Sequence, residues 1–211
     1  MEKSRRLVKT TQGIQEYTYL GCPLTLSNSA WCYRMCDPDG EGKGRCGRIA
    51  PHTLKSYIQT NIEKHNQKQQ ELHLEKLENM YLSDPVNKEL NPGVKILEGE
   101  TEIHIPVRKK ISNDDGSIIG CICYKLMEDA AILAVNSIVD DVQVSASNFN
   151  IYLSNSIASR ELTARAKFIG RSGDQILVET VVIDDNRSEI ARGNGAFVKG
   201  SVKLDQLDGY K

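Results

Sequence analysis

Glu128 and Asp129 stand side by side inside "CICYKLMEDAAILAVNSI", residues 121–138, the most apolar stretch of the chain. A carboxylate in such surroundings loses water, which raises its pKa, and it can then accept a proton near neutral pH as a general base. A second candidate is the set Cys22, Cys32, Cys36 and Cys46, spaced C-x9-C-x3-C-x9-C. Four thiolates can close a tetrahedral zinc site. Zinc ribbons carry two C-x2-C knuckles, however, and this stretch has a single C-x3-C pair, so zinc, an iron–sulfur cluster and no metal all stay open. His52 is an alternative ligand that also suits the start of a helix. "DPDGEGKG", residues 37–44, lacks the terminal Glu of an EF-hand loop and reads as a turn.

The element that must position the two acids is a helix, from about Ile118 to Val139. At 100° per residue, Lys125, Asp129 and Asn136 fall on one narrow strip, with Glu128 and Cys121 beside it, and most other positions are Ile, Leu, Met, Ala or Val. Two readings of the strip are open. Lys125 and Asp129 can be an i,i+4 pair facing solvent or a subunit seam, or Glu128 or Asp129 can face a cleft. Cys121 near the helix start can serve as a nucleophile, since helix N-termini lower thiol pKa. Its neighbour Cys123 fits a small core residue equally well.

Around this helix the chain divides into three zones: residues 1–51, cysteine-rich and a candidate for metal binding; 52–93, a long helix and linker; and 94–211, one compact domain. Residues 52–82 contain no Gly or Pro and predict a helix of about 45 Å, stopped by the two prolines of "SDPVNKELNPG". In the third zone "TEIHIPVRKK" alternates as a strand, "NDDG" turns, and the apolar helix follows. Then come four alternating segments, "VQVSASNFNIYL", "ELTARAKFIGR", "QILVETVVID" and "EIARGNGAFVKG", separated by turns such as "RSGD" and "DDNR". The order strand, helix, four strands implies an antiparallel sheet curled around the helix, with an uncovered edge that favours dimerisation. On the first strand after the helix, Asn148 and Asn150 are expected on one face with Ala146 and Tyr152, and Asn148 is a candidate for the pocket lining. Arg165, Lys167 and Arg171 can meet phosphates or line a solvated face.

The chain has 211 residues, a net charge of −1 and 39% hydrophobic residues, enough for a core and without a global field for nucleic acid or membrane. No run of 18 apolar residues suggests a membrane span. The start "MEKSRRLVK" lacks the apolar core of a signal peptide, and six cysteines without such a leader fit a reducing compartment. A soluble cytoplasmic protein is expected.

From about Val94 to Lys199 the chain resembles the hotdog-fold acyl-CoA thioesterases of the phenylacetate-degradation, PaaI-like type, a group that includes 4-hydroxybenzoyl-CoA thioesterase-like enzymes. "GSIIGC" from Gly116 takes the place of that family's G-x-x-H-G-G, Glu128 falls nine positions after Ile119, where the family has its acid, and "NS" at Asn136-Ser137 matches the helix end. "NIYL" and "ARGNGAFV" resemble later strands. The chain departs from the pattern at Ile119, which stands for the family His, at Cys121 for the second Gly, and at Ser154-Asn155 for the usual Arg-Pro. The resemblance implies an α+β hotdog fold, an antiparallel five-stranded sheet wrapped around a long central helix. It implies hydrolysis of an acyl- or aryl-CoA thioester with no cofactor needed for catalysis. Backbone N–H groups near Gly120 and Cys121 would polarise the carbonyl, Glu128 or the adjacent Asp129 would act as base or nucleophile across a dimer, and Asn136 and Asn148 with Arg165, Lys167 and Arg171 would bind substrate.

An N-terminal module, a long helix and a hotdog domain also resemble FapR-type repressors, which bind acyl-CoA without hydrolysing it and bind DNA through the N-terminal part. "SIVDDVQVSASNFNI" is similar to that family as well. Residues 1–51 show no helix-turn-helix pattern and are only mildly basic, with eight Lys/Arg against five Asp/Glu. The expected partners are an acyl-CoA ligand and further copies of the chain, as dimer or tetramer. DNA is expected only under the repressor reading, and a membrane under neither.

Overall fold

A computed structural model describes residues 4–10, 13–19, 32–33, 47–48, 51–154 and 159–211, with the side chains of Thr60 and of the described residues from Ile62 onward. The chain forms two compact units, Met1–Gln67 and Lys68–Lys211. In the first, β1 (Ser4–Thr10) pairs antiparallel with β2 (Gly13–Tyr19), and β3 (Cys32–Tyr33) pairs with β4 (Gly47–Arg48). The long helix α1 runs Pro51–Ser83. Its proline stands at the first helical position, where no intrahelical N–H is lost. Cys22, Cys36 and Cys46, and the side chain of Cys32, lie outside the described residues.

The second unit takes in the C-terminal half of α1. Asp84 ends that helix and starts another: its Oδ1 accepts from Val86 N at 2.8 Å and Asn87 N at 3.4 Å, capping α2 (Pro85–Leu90). The "SDPVNKEL" stretch is therefore a short helix as well as a stop. Strands β5 (Gly93–Leu97), β6 (Glu100–Pro106), β7 (Val142–Leu153), β8 (Glu161–Ser172), β9 (Gln175–Asp184) and β10 (Glu189–Lys203) form an antiparallel sheet of order β5-β6-β8-β9-β10-β7. The sheet has six strands where five were expected. The added strand is "GVKIL", which pairs with β6 through a tight turn at Gly99, whose φ of +73° suits glycine.

The central helix α3 runs Gly120–Asn136, shorter at both ends than the pattern suggests. At its start Ile118 forms a β-bridge with Ser112, and Ile119 is extended as the N-cap. At its end Ser137 caps the helix and turns back, its Oγ donating to Ala134 O at 2.7 Å. Cys123, Leu126, Met127, Ala130, Ala131, Leu133, Ala134 and Val135 are buried against Ile103, Ile105, Leu162, Ala164, Val178, Val182 and Phe197 from the sheet. A helix this apolar is stable only when wrapped. At the β5 edge, α1 supplies cover: Glu78 Oε1 accepts from Ile96 N at 3.0 Å, which blunts an otherwise open strand. Beyond its start, where the Asn136 side chain bonds Val142 O and Val144 N, the edge strand β7 has no such side-chain cover among the described residues.

Candidate functional site

The strip on α3 that carries Lys125, Asp129 and Asn136 faces neither solvent nor a cleft, because α1 lies along it. Asp129 accepts from Lys125 Nζ at 2.6 Å and from Tyr81 Oη at 3.2 Å, with 18% of its side chain exposed against 29% for Lys125. Burial raises the Asp129 carboxyl above the usual range, against the opposing pull of Lys125 and Tyr81. Burial, then the Asp129 charge, pushes the Tyr81 hydroxyl well above the usual phenol range, so Tyr81 stays a donor.

Asn136, expected to contact substrate, is fully buried. Its Nδ2 donates to Val139 O at 3.1 Å and Val142 O at 2.8 Å, and its Oδ1 accepts from Val144 N at 3.3 Å. The amide therefore ties the end of α3 to the start of β7, and its complete burial keeps it from a ligand. On the same side His73 bridges α1 to the end of α3 and to the C-terminal segment: Nε2 lies 2.7 Å from Asn136 O, to which it donates, and Nδ1 lies 2.6 Å from Tyr210 Oη.

Glu128 is placed differently. It is half-buried and lies 100° round the helix from Asp129, toward the flank that touches β7. That flank is marked by Gly120, where a Cβ would stand 3.3 Å from Leu153 Cδ1, and by Tyr124, whose ring meets Phe149. Cys121 is exposed, near the helix start. Cys123 is buried, and burial followed by Cys121 pushes its thiol up to about 11, which makes it an inert core residue. Among the described residues no side chain caps the start of α3, and none bonds the N–H groups of Gly120 and Cys121 at the positive end of the helix.

The strand residues are set by a bulge. Ala196 pairs with Asn148 and Phe197 with Ala146, so Ser147 is the extra residue. Ala146 therefore faces the core with Phe149 and Ile151, not outward with Asn148 as strict alternation suggests. Asn148 and Asn150 line an open trough of about 280 Å³ with Asn194, Ile169, Leu177 and Ala196. It lies on the sheet face turned away from α3, apart from Glu128. On that outer face Arg165 pairs with Glu102 at 2.7 Å and Lys167 with Glu100 at 2.8 Å; Arg171 is exposed beside the β8–β9 turn. The structure thus carries Gly120, Cys121 and Glu128 on α3, two helical turns apart, leaves Asn148, Arg165 and Lys167 on the opposite side of the sheet, and pairs Arg171 with the buried Ile176 at the end of β8. Tyr81, His73 and Tyr124 were not anticipated. Tyr124 alone had a readable signal, its i,i+4 spacing to Glu128.

Among the described residues no three His, Cys, Asp or Glu side chains gather closely enough to hold a metal. No helix among them is long and apolar enough to cross a membrane.

One long helix wrapped by an antiparallel sheet of this strand order is the hotdog fold. The same fold is seen in the E. coli PaaI protein of the phenylacetic acid degradation operon, at TM-score 0.57 and 18% identity over 63% of this chain and 96% of that one. A thioesterase family protein from Silicibacter pomeroyi matches at TM-score 0.54 and 16% identity, over 61% of this chain and 99% of its own. A conserved protein from Pseudomonas aeruginosa matches at 0.51 and 20%, over 57% and 97%. No family model matches the chain. No curated protein matches it either.

Proposed function

We propose that the chain is a thioesterase that hydrolyses an acyl- or aryl-CoA, with Glu128 as the base. The observation that carries this is the division of work between the two acids: Asp129 is engaged by Lys125 and Tyr81, and Glu128 is left half-buried toward the flank of α3 that meets β7. The thioesterase-family neighbour of the same fold supports the reading. In the reaction Glu128 takes a proton from water as the water oxygen bonds to the carbonyl carbon. Charge develops on the carbonyl oxygen, where the free N–H groups at Gly120 and Cys121 stabilise it. The C–S bond then breaks, and the leaving thiolate recovers the proton from Glu128, giving a carboxylic acid and free CoA thiol.

Within one protomer the start of α3 and Glu128 are about 12 Å apart, eight residues at 1.5 Å. That is too far for both to act on one carbonyl. The reaction therefore needs two copies, joined along β7, with the N–H groups of one and Glu128 of the other at each site. The test is release of thiol from a panel of acyl- and aryl-CoA esters. Wild type turns over at least one, and Glu128→Gln loses at least about 100-fold in kcat while still binding it. Tight binding by wild type with no turnover of any ester would overturn the enzyme and favour the acyl-CoA sensor, which a gel shift on upstream DNA with and without ligand then checks. A structural zinc ion on Cys22, Cys32, Cys36 and Cys46 belongs to the same proposal.

A further inference from the structure

Tyr124 lies one helical turn before Glu128 on α3, the spacing at which side chains on a helix meet. Its ring meets Phe149 edge to face, with centroids 5.7 Å apart at 89°, and Phe149 meets Phe197 at 6.1 Å and 65°. This column of three rings is anchored inside, since Phe197 is fully buried. Its middle is fixed by a missing side chain: a Cβ on Gly195 would overlap the Phe149 ring and lie 2.9 Å from Phe197 Cε2. The outer end is Tyr124, 36% exposed. A ring clamped in this way holds its hydroxyl in one place, with few torsions left to order. Burial raises the Tyr124 hydroxyl above its ordinary value, and the charge of Glu128 and a hydrogen bond to it add to the rise.

We propose that Tyr124 is a positioning residue, whose hydroxyl donates to the Glu128 carboxylate and holds it at the β7 flank of α3 in the orientation that takes the proton from water. A glutamate on a helix surface is otherwise free to swing about three torsions, and a base that must be within hydrogen-bond reach of one water gains from being held. The aromatic column supplies the rigidity, and the hydroxyl transmits it. The proposal rests on the thioesterase reading for what Glu128 does; the pairing of the two side chains does not.

Tyr124→Phe keeps the ring and its column and removes the hydroxyl. The expected result is a kcat lower by about 10- to 100-fold, with KM changed by less than about twofold and Tm unchanged. A matching fall in Tm, or an effect confined to KM, would show a structural or binding role and overturn the proposal. The second measurement does not depend on turnover. Tyrosine labelled with ¹³C at Cζ is titrated by NMR, with Tyr124 assigned from its loss in Tyr124→Phe, in wild type and Glu128→Gln. The Tyr124 midpoint should fall in Glu128→Gln; an unchanged midpoint overturns the pairing whatever the turnover. If the midpoint falls but wild type hydrolyses no ester, the pairing stands and the thioesterase reading is what fails.

Discussion

Glu128 and Asp129 are chemically near-identical neighbours, and their surroundings set them apart. The Asp129 carboxyl is held above its usual 3.8 because burial outweighs the donors Lys125 and Tyr81. The folded chain therefore binds that proton more tightly than the unfolded chain does. Its contribution to stability is complete below about 3.8 and is lost as pH rises through the raised midpoint. Asp129→Asn carries no such proton. Urea melts should show wild type gaining stability relative to Asp129→Asn as pH falls toward 3.8, and a difference that stays flat with pH would contradict the raised value. Asp129→Asn should also keep turnover within about tenfold of wild type, in contrast to Glu128→Gln. The helical wheel separated these two acids in the sequence, but it gave no means of knowing that the polar strip would be covered. That cover comes from Tyr81 and His73, more than 45 residues earlier in the chain.

At the scale of elements, α3 is held at its end by the Asn136 amide, which joins three main-chain groups of the turn and β7. Asn136→Ala would leave buried donors and acceptors without partners and should cost about 2–4 kcal/mol in chemical denaturation; a loss under about 0.5 kcal/mol would mean that the amide does not hold the junction. The alternation of β8, β9 and β10 and the unbroken apolar helix were legible because period-2 and period-3.6 patterns survive in sequence. The β5 strand was not, because "GVKIL" is too short to show alternation. Nor was the bulge at Ser147, which shifts Ala146 inward and leaves Asn148 outward. A one-residue insertion in a strand changes no composition, yet it reverses which residues can reach a site. Arg165 and Lys167 were readable as cations, but their partners Glu102 and Glu100 come from a strand that precedes the helix.

For the whole molecule, one edge of the sheet is blunted by Glu78 from α1, while β7, bonded by Asn136 at its start, has no such cover further along among the described residues and bears Tyr152, 73% exposed, and Leu153. That asymmetry is what a chain needs if it pairs with a second copy at one edge only. The N-terminal cysteines add a separate expectation: elemental analysis of the purified chain should find about one zinc per protomer, and less than about 0.3 would end the zinc proposal. The shared site gives the most direct test of the account. Glu128→Gln removes the base, and Gly120→Val puts a branched side chain against Leu153 at the donor N–H groups, so each variant alone should be inactive. Mixed by unfolding and refolding together, they should form dimers in which one of the two sites has both halves intact, restoring about a quarter of wild-type turnover. Recovery near that level is the predicted result; mixed dimers that form but hydrolyse no thioester would contradict it.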